Sequence, residues 1–430
     1  MKLIRTYGAS SAQAERLLRQ IEDRSAAAAS RLEPAVRRIV MDVRKKGDPA
    51  LRRYATQLDG LAPRTDFRVS REEMAEAWDR TPAPLRQSLK LAASNIRRFA
   101  KWQMPKTWVR ARGGVTLGQQ ILPVASVGCY VPGGRYPLPS TLLMTTVPAQ
   151  VAGVSRVVVV SPRPARETLA AAHLAGVGEF YRIGGAQAVA ALAYGTQSIP
   201  RVDKIVGPGN LYVTLAKKQV AFDCGIDMLA GPTEIVVASE RGDVDCISSD
   251  LVAQAEHDPE ALAILVTSNA SLARAVALRA PQMAASNAVA QQAIRRNGFV
   301  FLTKTPNDTR TVANRLAAEH LTIDSSQDVP WVQHAGSIFI GQHTPQSLGD
   351  YISGPNHVLP TGRLARIRGG LSVYDFLRLV TTQKYSGQGL ARLGPHAIRL
   401  ATAEGLHAHA ASVRTRTARK PASSKHGAIQ

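Results

Sequence analysis

Four short segments of this chain bring together His, Asp, Glu and an amide side chain. Gln254-Ala-Glu-His257 closes a predicted helix, and Gln254 and His257, three residues apart, share one face of it. Glu319-His320 stands where a helix gives way to Leu321-Thr-Ile323. Asp350 opens the run Asp350-Tyr-Ile-Ser-Gly-Pro-Asn-His357, a Gly-Pro loop after a strand, and Glu404-Gly-Leu-His-Ala-His409 lies near the C-terminus. Each segment alone reads as a helix cap or a solvated residue. Together they offer imidazole, carboxylate and amide oxygen without thiolate, a set that suits a catalytic zinc, or manganese or cobalt, better than a closed structural site. Their spacings match no local metal motif such as HExxH.

Three glycine-rich stretches add a second kind of chemistry. Gly128-Cys-Tyr-Val-Pro-Gly-Gly134, Gly184-Gly-Ala-Gln187 and Gly207-Pro-Gly-Asn210 each follow a predicted strand. None is the GxGxxG dinucleotide fingerprint, and ordinary tight turns are the plain alternative. Three such loops within one α/β half still point to a ligand at strand ends and helix starts. Cys129, within a buried strand and with no base near it in sequence, reads as packing.

The elements that must position these residues follow from periodicity. Ala12 to Leu32 and Pro34 to Leu58 repeat apolar residues at helical spacing, and Glu72 to Trp78 and Leu85 to Trp102 continue the pattern. Beyond Gly113-Gly114 the texture changes to short apolar strands alternating with helices: Val124–Val131, Arg156–Val160, Phe180–Ile183, Lys204–Val206 and Glu234–Ala238. A second series follows with Ala263–Thr267, a helix Leu272–Arg295, Phe299–Leu302 and Gly336–Gly341. This alternation predicts an α/β fold of two Rossmann-like, doubly wound halves with helical N-terminal and C-terminal extensions. The expected boundaries are 1–30 for an N-terminal helical segment, 31–126 with 236–366 for a first α/β domain, 127–235 for a second, and 367–430 for a C-terminal helical segment whose end, Thr415 to Gln430, is disordered.

Composition narrows the partners. The 430 residues carry a formal net charge of +22 with 45% hydrophobic and 20% charged residues, so bulk disorder and fibrous repeats are excluded. The excess is not uniform: residues 1–120 hold 25 Lys and Arg against 12 Asp and Glu, residues 121–360 hold 17 against 18, and residues 361–430 hold 12 against 2. Aromatics are only 5% and no reader motif is present, so a solvated basic surface is expected and not a nucleic-acid interface. No run approaches the ~18 apolar residues of a membrane span. Met1-Lys2-Leu3-Ile4-Arg5 lacks a signal-peptide core, and three cysteines are too few for a disulfide framework. A cytoplasmic protein is expected.

Read in order, eight segments resemble the histidinol dehydrogenase family over nearly the whole chain: Val127 to Gly134, Ile183 to Ala188, Asp203 to Asn210, Ala230-Gly-Pro-Thr-Glu234, Gln254 to His257, Ala318-Glu-His-Leu321, Ser353 to Thr361 and Ala403 to His409. The resemblance implies oxidation of L-histidinol through L-histidinal to L-histidine, the final step of histidine biosynthesis, with two NAD and one zinc ion (Zn2+) per subunit. It implies Gln254, His257, Asp350 and His409 as zinc ligands and Glu319 and His320 as the acid/base pair. Thr233, Gln254, His257, His320, Asp350, His357, Glu404 and His409 would meet substrate, and Tyr130, Gln187 and Asn210 would hold NAD. It further implies an intertwined homodimer in which the Glu404 to His409 segment completes the partner's site. Thr233 stands where many members have Ser, and Tyr136 and Pro355 also depart from the commonest pattern. Tyr136 resembles relatives acting on other alcohols, such as sulfopropanediol, which stands as the alternative substrate class.

Overall fold

The computed structural model describes residues 1–133 and 136–418, with the side chains of residues 25–30 excepted. Runs such as Leu262–Thr267 and Glu234–Ala238 are buried along their whole length, as strands covered on both faces must be, and they assemble into parallel sheets. The first sheet has six parallel strands in the order Lys2–Arg5, Gly298–Leu302, Leu262–Thr267, Glu234–Ala238, His320–Ile323 and Ser337–Ile340. Its side chains alternate between two cores. Ile235, Val237, Leu265 and Val300 face one, while Val236, Ile264, Phe301 and Leu321 face the other.

The second sheet repeats the plan in the order Arg68–Val69, Glu179–Tyr181, Arg156–Val160, Ser126–Tyr130, Lys204–Val206 and Gly225–Ile226, with only the Arg68–Val69 edge antiparallel. In each sheet the earliest strand of the βα series is central. The chain builds outward on one side, then crosses to the other. That reversal is the topological switch point of a doubly wound sheet. It lies between Glu234–Ala238 and His320–Ile323 in one sheet, and between Ser126–Tyr130 and Lys204–Val206 in the other.

Both sheets belong to one compact unit, Met1–Met104 with Val124–Phe376. The 36-residue helix Ser11–Lys46 contributes to the core of each: Ala14 and Leu18 pack with the first sheet, and Val36, Ile39, Val40 and Val43 with the second. The expected grouping of 31–126 with 236–366 is therefore corrected. Arg68–Val69 pairs with Glu179–Tyr181, and Leu51, Tyr54 and Phe67 sit in the second sheet's core. Helical periodicity identifies an apolar face but not the sheet that will cover it. Residues 2–5, expected in a helical segment, form the edge strand of the first sheet. The helix expected over 272–295 is two, Ala270–Met283 and Ala288–Asn297, because Asn287 caps the second by accepting from Val289 N at 3.0 Å and Ala290 N at 3.2 Å.

The second unit, residues 105–123 with 377–430, is described as far as residue 418. It holds a three-stranded antiparallel sheet of Trp108–Arg112, Val115–Pro123 and Leu377–Tyr385, followed by helices Gly387–Ala403 and His407–Thr417. The C-terminal segment is thus not wholly helical. Thr415 to Thr417 end the last helix instead of opening a disordered tail; the rest of that expected tail, from residue 419, and Gly134 lie outside the described residues. Among the described residues no helix is long and apolar enough to cross a membrane.

Candidate active site

Parallel pairing of the two strands at the first sheet's switch point sets Ile235 opposite His320, so the residues entering those strands, Thr233-Glu234 and Glu319-His320, meet at the sheet's N-terminal edge. There Glu319 Oε2 accepts from Glu234 N at 2.9 Å and from the Thr233 hydroxyl. The Gln254 amide donates to Thr233 Oγ1, and Gln346 Nε2 donates to Gln254 Oε1 at 3.0 Å. Gln346, Gln254 and Thr233 thus form one chain of donors ending on a carboxylate. Behind it Glu234, itself buried, takes Arg24 at 2.7 Å and Gly362 N at 3.0 Å. Burial pushes the Glu234 carboxyl above the usual range, against the pull of Arg24.

His320 is buried with its ring against Phe339, centroids 5.7 Å apart. Nδ1 lies 3.2 Å from the Glu234 carbonyl oxygen, which can only accept, so Nδ1 carries the proton. Nε2 is 3.5 Å from Asp350 Oδ1 and has no hydrogen-bond partner among the described residues. Burial disfavours a charged imidazole, but Glu319 at 3.6 Å and Asp350 outweigh it and hold the His320 pKa up at about 10. Asp350, on the short helix Gln346–Tyr351, feels the opposite balance: burial raises its pKa, and His320, His357 and His257 together bring it below the ordinary value.

His357 is fixed from both ends. Nδ1 donates to the Asp350 carbonyl oxygen at 2.7 Å, which leaves Nε2 to accept from Thr141 Oγ1 at 3.0 Å. Burial lowers its pKa, with Asp350 opposing, so the ring is neutral near pH 7. Thr141 belongs to the helix Pro139–Val151 of the second sheet, so this hydrogen bond ties the two halves of the unit together. His257 follows the helix Val244–Ala255 and is exposed. Glu404 and His409 lie in the second unit, both exposed, Glu404 at the end of Gly387–Ala403 and His409 within the last helix. The first unit therefore gathers Thr233, Gln254, Glu319, His320, Asp350 and His357. Among the described residues no three His, Cys, Asp or Glu side chains converge as a metal-ligating group. Of the four expected ligands only His257, Asp350 and His409 are of those types, and His409 belongs to the other unit.

The glycine-rich turns lie at the C-terminal edge of the second sheet. Tyr130 closes its central strand and accepts from Gly185 N at 3.0 Å. Gln187 is fully buried on the helix Gly185–Tyr194, and Asn210 caps Leu211–Val220 by accepting from Val213 N at 3.2 Å. A Cβ on Gly207, whose φ is +113°, would stand 2.1 Å from the Tyr130 carbonyl oxygen, so that turn needs glycine. The same turn is anchored by a buried ion pair. Lys217 Nζ meets Asp227 Oδ1 at 2.6 Å, while Asp227 accepts from Gly207 N at 2.7 Å and Met228 N at 2.6 Å. Cys129 is buried and its thiol is pushed up to about 12, in keeping with a packing role.

At the corresponding C-terminal edge of the first sheet, carboxylates occupy the strand ends. Glu240 accepts from Ser268 N at 2.9 Å, Ser268 Oγ at 2.6 Å and Thr309 Oγ1 at 2.7 Å, and Asp324 accepts from Ser239 Oγ and Glu240 N. Three of the helices that follow its strands are capped, by Asp243, Asn269 and a Thr305–Asp308 box, while Ser11–Lys46 and the short turn Ser326–Trp331 start without a side-chain cap among the described residues. Pro139–Val151 and Arg166–Leu174 of the second sheet likewise start without one among the described residues.

Sequence reasoning missed Thr141, Gln346, Glu234 with Arg24, and the Lys217–Asp227 pair. Thr141 follows the Pro139-Ser140 step and Glu234 ends the Ala230 to Glu234 segment, but Gln346 and Lys217 stand in no chemical pattern.

Comparison with known proteins identifies the family. A family model for histidinol dehydrogenase matches residues 22–417. The chain is 44% identical over 396 residues to the histidinol dehydrogenase of Methanothermobacter thermautotrophicus, spanning 88% of this chain and 92% of that one. It is 46% identical over 396 residues to that of Agrobacterium fabrum, spanning 89% and 91%. The crystal structure of histidinol dehydrogenase from Elizabethkingia anophelis matches with a TM-score of 0.85 at 33% identity, covering 90% of this chain and 92% of that one. With the family's pattern running from residue 22 to residue 417 and the same α/β fold beneath it, the chain belongs to the histidinol dehydrogenase family.

Proposed function

We propose that this chain oxidises L-histidinol through L-histidinal to L-histidine, the last step of histidine biosynthesis, using two NAD and one zinc. The observation that carries the reading is the cluster at the first sheet's N-terminal edge, where a buried histidine with a free Nε2 lies between two carboxylates, beside an ordered amide–hydroxyl chain.

The donor set fits zinc: an amide oxygen from Gln254, imidazoles from His257 and His409 and a carboxylate from Asp350 are the nitrogen and oxygen ligands of a catalytic site without thiolate. Asp350, drawn on by three histidines and lacking a hydrogen bond to His320 Nε2, supports that fit. When bound, zinc would hold and orient the amine and imidazole nitrogens of the substrate. NAD fits the second sheet's C-terminal edge, where Tyr130, Gln187 and Asn210 stand at glycine turns, and it would accept the hydride.

The chain's own residues then manage protons and position. With Asp350 committed to the metal, one of the two carboxylates that hold the His320 pKa up would be withdrawn, and Nε2 is the atom that would then exchange a proton with the substrate hydroxyl. Glu319, held by Thr233 and Glu234 N, is the carboxylate that draws a proton from the water adding to the aldehyde. His357, neutral and held at both ring nitrogens by the Asp350 carbonyl and Thr141, would meet the substrate as a fixed, uncharged wall of the site. Glu404 and His409 reach the site as residues of a second copy, so the working form is a homodimer. The large apolar side chains left exposed on the second unit, Val109 and Leu400 at 66% each, support such a partner. The enzyme acts in the cytoplasm on this reading.

The test is NADH formation from L-histidinol and NAD by the purified chain, with and without a chelator. Turnover that the chelator abolishes and zinc restores is expected. Turnover of sulfopropanediol but not L-histidinol would replace the substrate, and metal content unchanged in His257→Ala would remove that ligand.

A further inference from the structure

Asp59 stands far from every residue assigned above in sequence, yet it is buried against the cofactor side. It ends the helix Asp48–Asp59, and its Oδ2 accepts from Gly184 N at 3.0 Å and from Gln187 Nε2 at 3.0 Å. Asp59 is 6% exposed, and among the described residues no cation is hydrogen-bonded to it, Arg163 acting only from a distance. A carboxylate is costly to bury without a cation, and here its two partners are the N-terminus of the helix Gly185–Tyr194 and the amide of Gln187.

Two consequences follow from the donor and acceptor count. A helix N-terminus attracts an anion, and at this one the anion is already part of the protein. The Gln187 NH2 group is spent on Asp59, so the amide presents its oxygen, and Gln187 Oε1 is buried with no partner among the described residues. That oxygen can only accept. It suits a hydroxyl or an amide N–H and excludes a phosphate oxygen.

We propose that Asp59 is a positioning residue for the dinucleotide: it locks the Gln187 amide so that Oε1 faces a hydrogen-bond donor of NAD, and it keeps the cofactor's phosphates off the helix Gly185–Tyr194. The inference rests on the reading of Gln187 as a cofactor residue. Asp59 touches no reacting atom and acts through Gln187.

The experiment titrates NADH into the full-length protein by fluorescence, without substrate, and separately measures KM for NAD and for L-histidinol. Asp59→Ala frees the amide to turn and should weaken NADH binding about tenfold, raising KM for NAD with KM for L-histidinol unchanged. Asp59→Asn still offers one oxygen to both donors and should bind within about threefold of the parent. Gln187→Ala should weaken NADH about as much as Asp59→Ala, and the double variant should be no weaker than either single one. Multiplying losses in the double variant, or unchanged binding in Asp59→Ala, overturns the positioning role while leaving Gln187 as a cofactor residue. Unchanged binding in Gln187→Ala overturns the cofactor reading itself and this inference with it. If Asp59→Ala does not fold, Asp59→Glu, which keeps the charge but displaces the carboxylate by one methylene, should show the same split in KM; normal NADH affinity there refutes the proposal.

Discussion

Replacing Lys217 with methionine isolates the ion pair beneath the Gly207 to Asn210 turn. Lys217 Nζ and Asp227 Oδ1 are 2.6 Å apart at 3% and 0% side-chain exposure, so neither charge is solvated. The Asp227 carboxylate also receives the N–H groups of Gly207 and Met228, which makes it the point where two backbone segments and a helix are joined. Methionine matches the lysine stem but leaves that carboxylate without a cation, and breaking a buried pair on one side costs about 3–5 kcal/mol. In a chain of this size the melting temperature should fall by about 3–6 °C. Adding Asp227→Asn removes the stranded charge, so the double variant should lose about 2 kcal/mol less than the sum of the single losses. Calorimetric melts of the four proteins measure this, and an NADH titration of the folded variants reports whether Asn210 moves. A single-variant loss below about 1 kcal/mol, or additive losses, would refute the reasoning.

Three further outcomes follow from the geometry. Glu319→Gln keeps the contacts with Thr233 and Glu234 N but cannot take a proton; oxidation should slow on the order of a hundredfold or more, and more with L-histidinal than with L-histidinol. Stopped-flow NADH formation from each substrate checks it, and equal small losses would remove Glu319 from the water-activating role. Gly207→Ala forces a Cβ to 2.1 Å from the Tyr130 carbonyl oxygen at φ +113°, and should cost about 2 kcal/mol or more, read as a lowered melting temperature with weakened NADH binding. Arg156 grips Glu179 through two hydrogen bonds of 2.7 and 2.9 Å and holds its carboxyl below the usual range. A lowered folded pKa gives stability that is complete above the unfolded value and fades as pH falls through the folded one. Arg156→Met should therefore cost about 1 kcal/mol at pH 7, and the gap from wild type should close below about pH 4.3; a gap that persists in acid counts against the pair.

The sequence pattern matched the structure best where a segment is buried on both faces. Arg156–Val160 and Glu234–Ala238 were legible residue for residue, because an unbroken apolar run bounded by turns has few other uses. The strands of the second unit were not. Trp108–Arg112 is exposed along its whole length and mixes Arg with Trp and Val, so no core writes a period into it. The boundary expected at Glu33 lies instead at Gly47, between Ser11–Lys46 and Asp48–Asp59, since proline at position 34 marks a boundary only by tendency. At the site, Gln254, Glu319, His320, Asp350 and His357 were legible as residue types. Their arrangement was not, because it depends on the crossing order of strands. The supporting contacts were the least legible: 128 residues separate Asp59 from Gln187, and 216 separate Thr141 from His357.

The acidic edge of the first sheet bears on the order of events in turnover. There Glu240 and Asp324 take up the donors beside the strand ends, whereas the glycine turns that would hold a dinucleotide lie at the second sheet. On the proposed reading, the chain has one berth for a cofactor and a reaction that consumes two. The spent carrier must depart and its replacement arrive while the half-oxidised aldehyde stays put. Retention of that reactive compound then falls to the residues at the first sheet's N-terminal edge, which makes the residence time of the aldehyde, and not only the speed of hydride loss, a quantity that this architecture must govern.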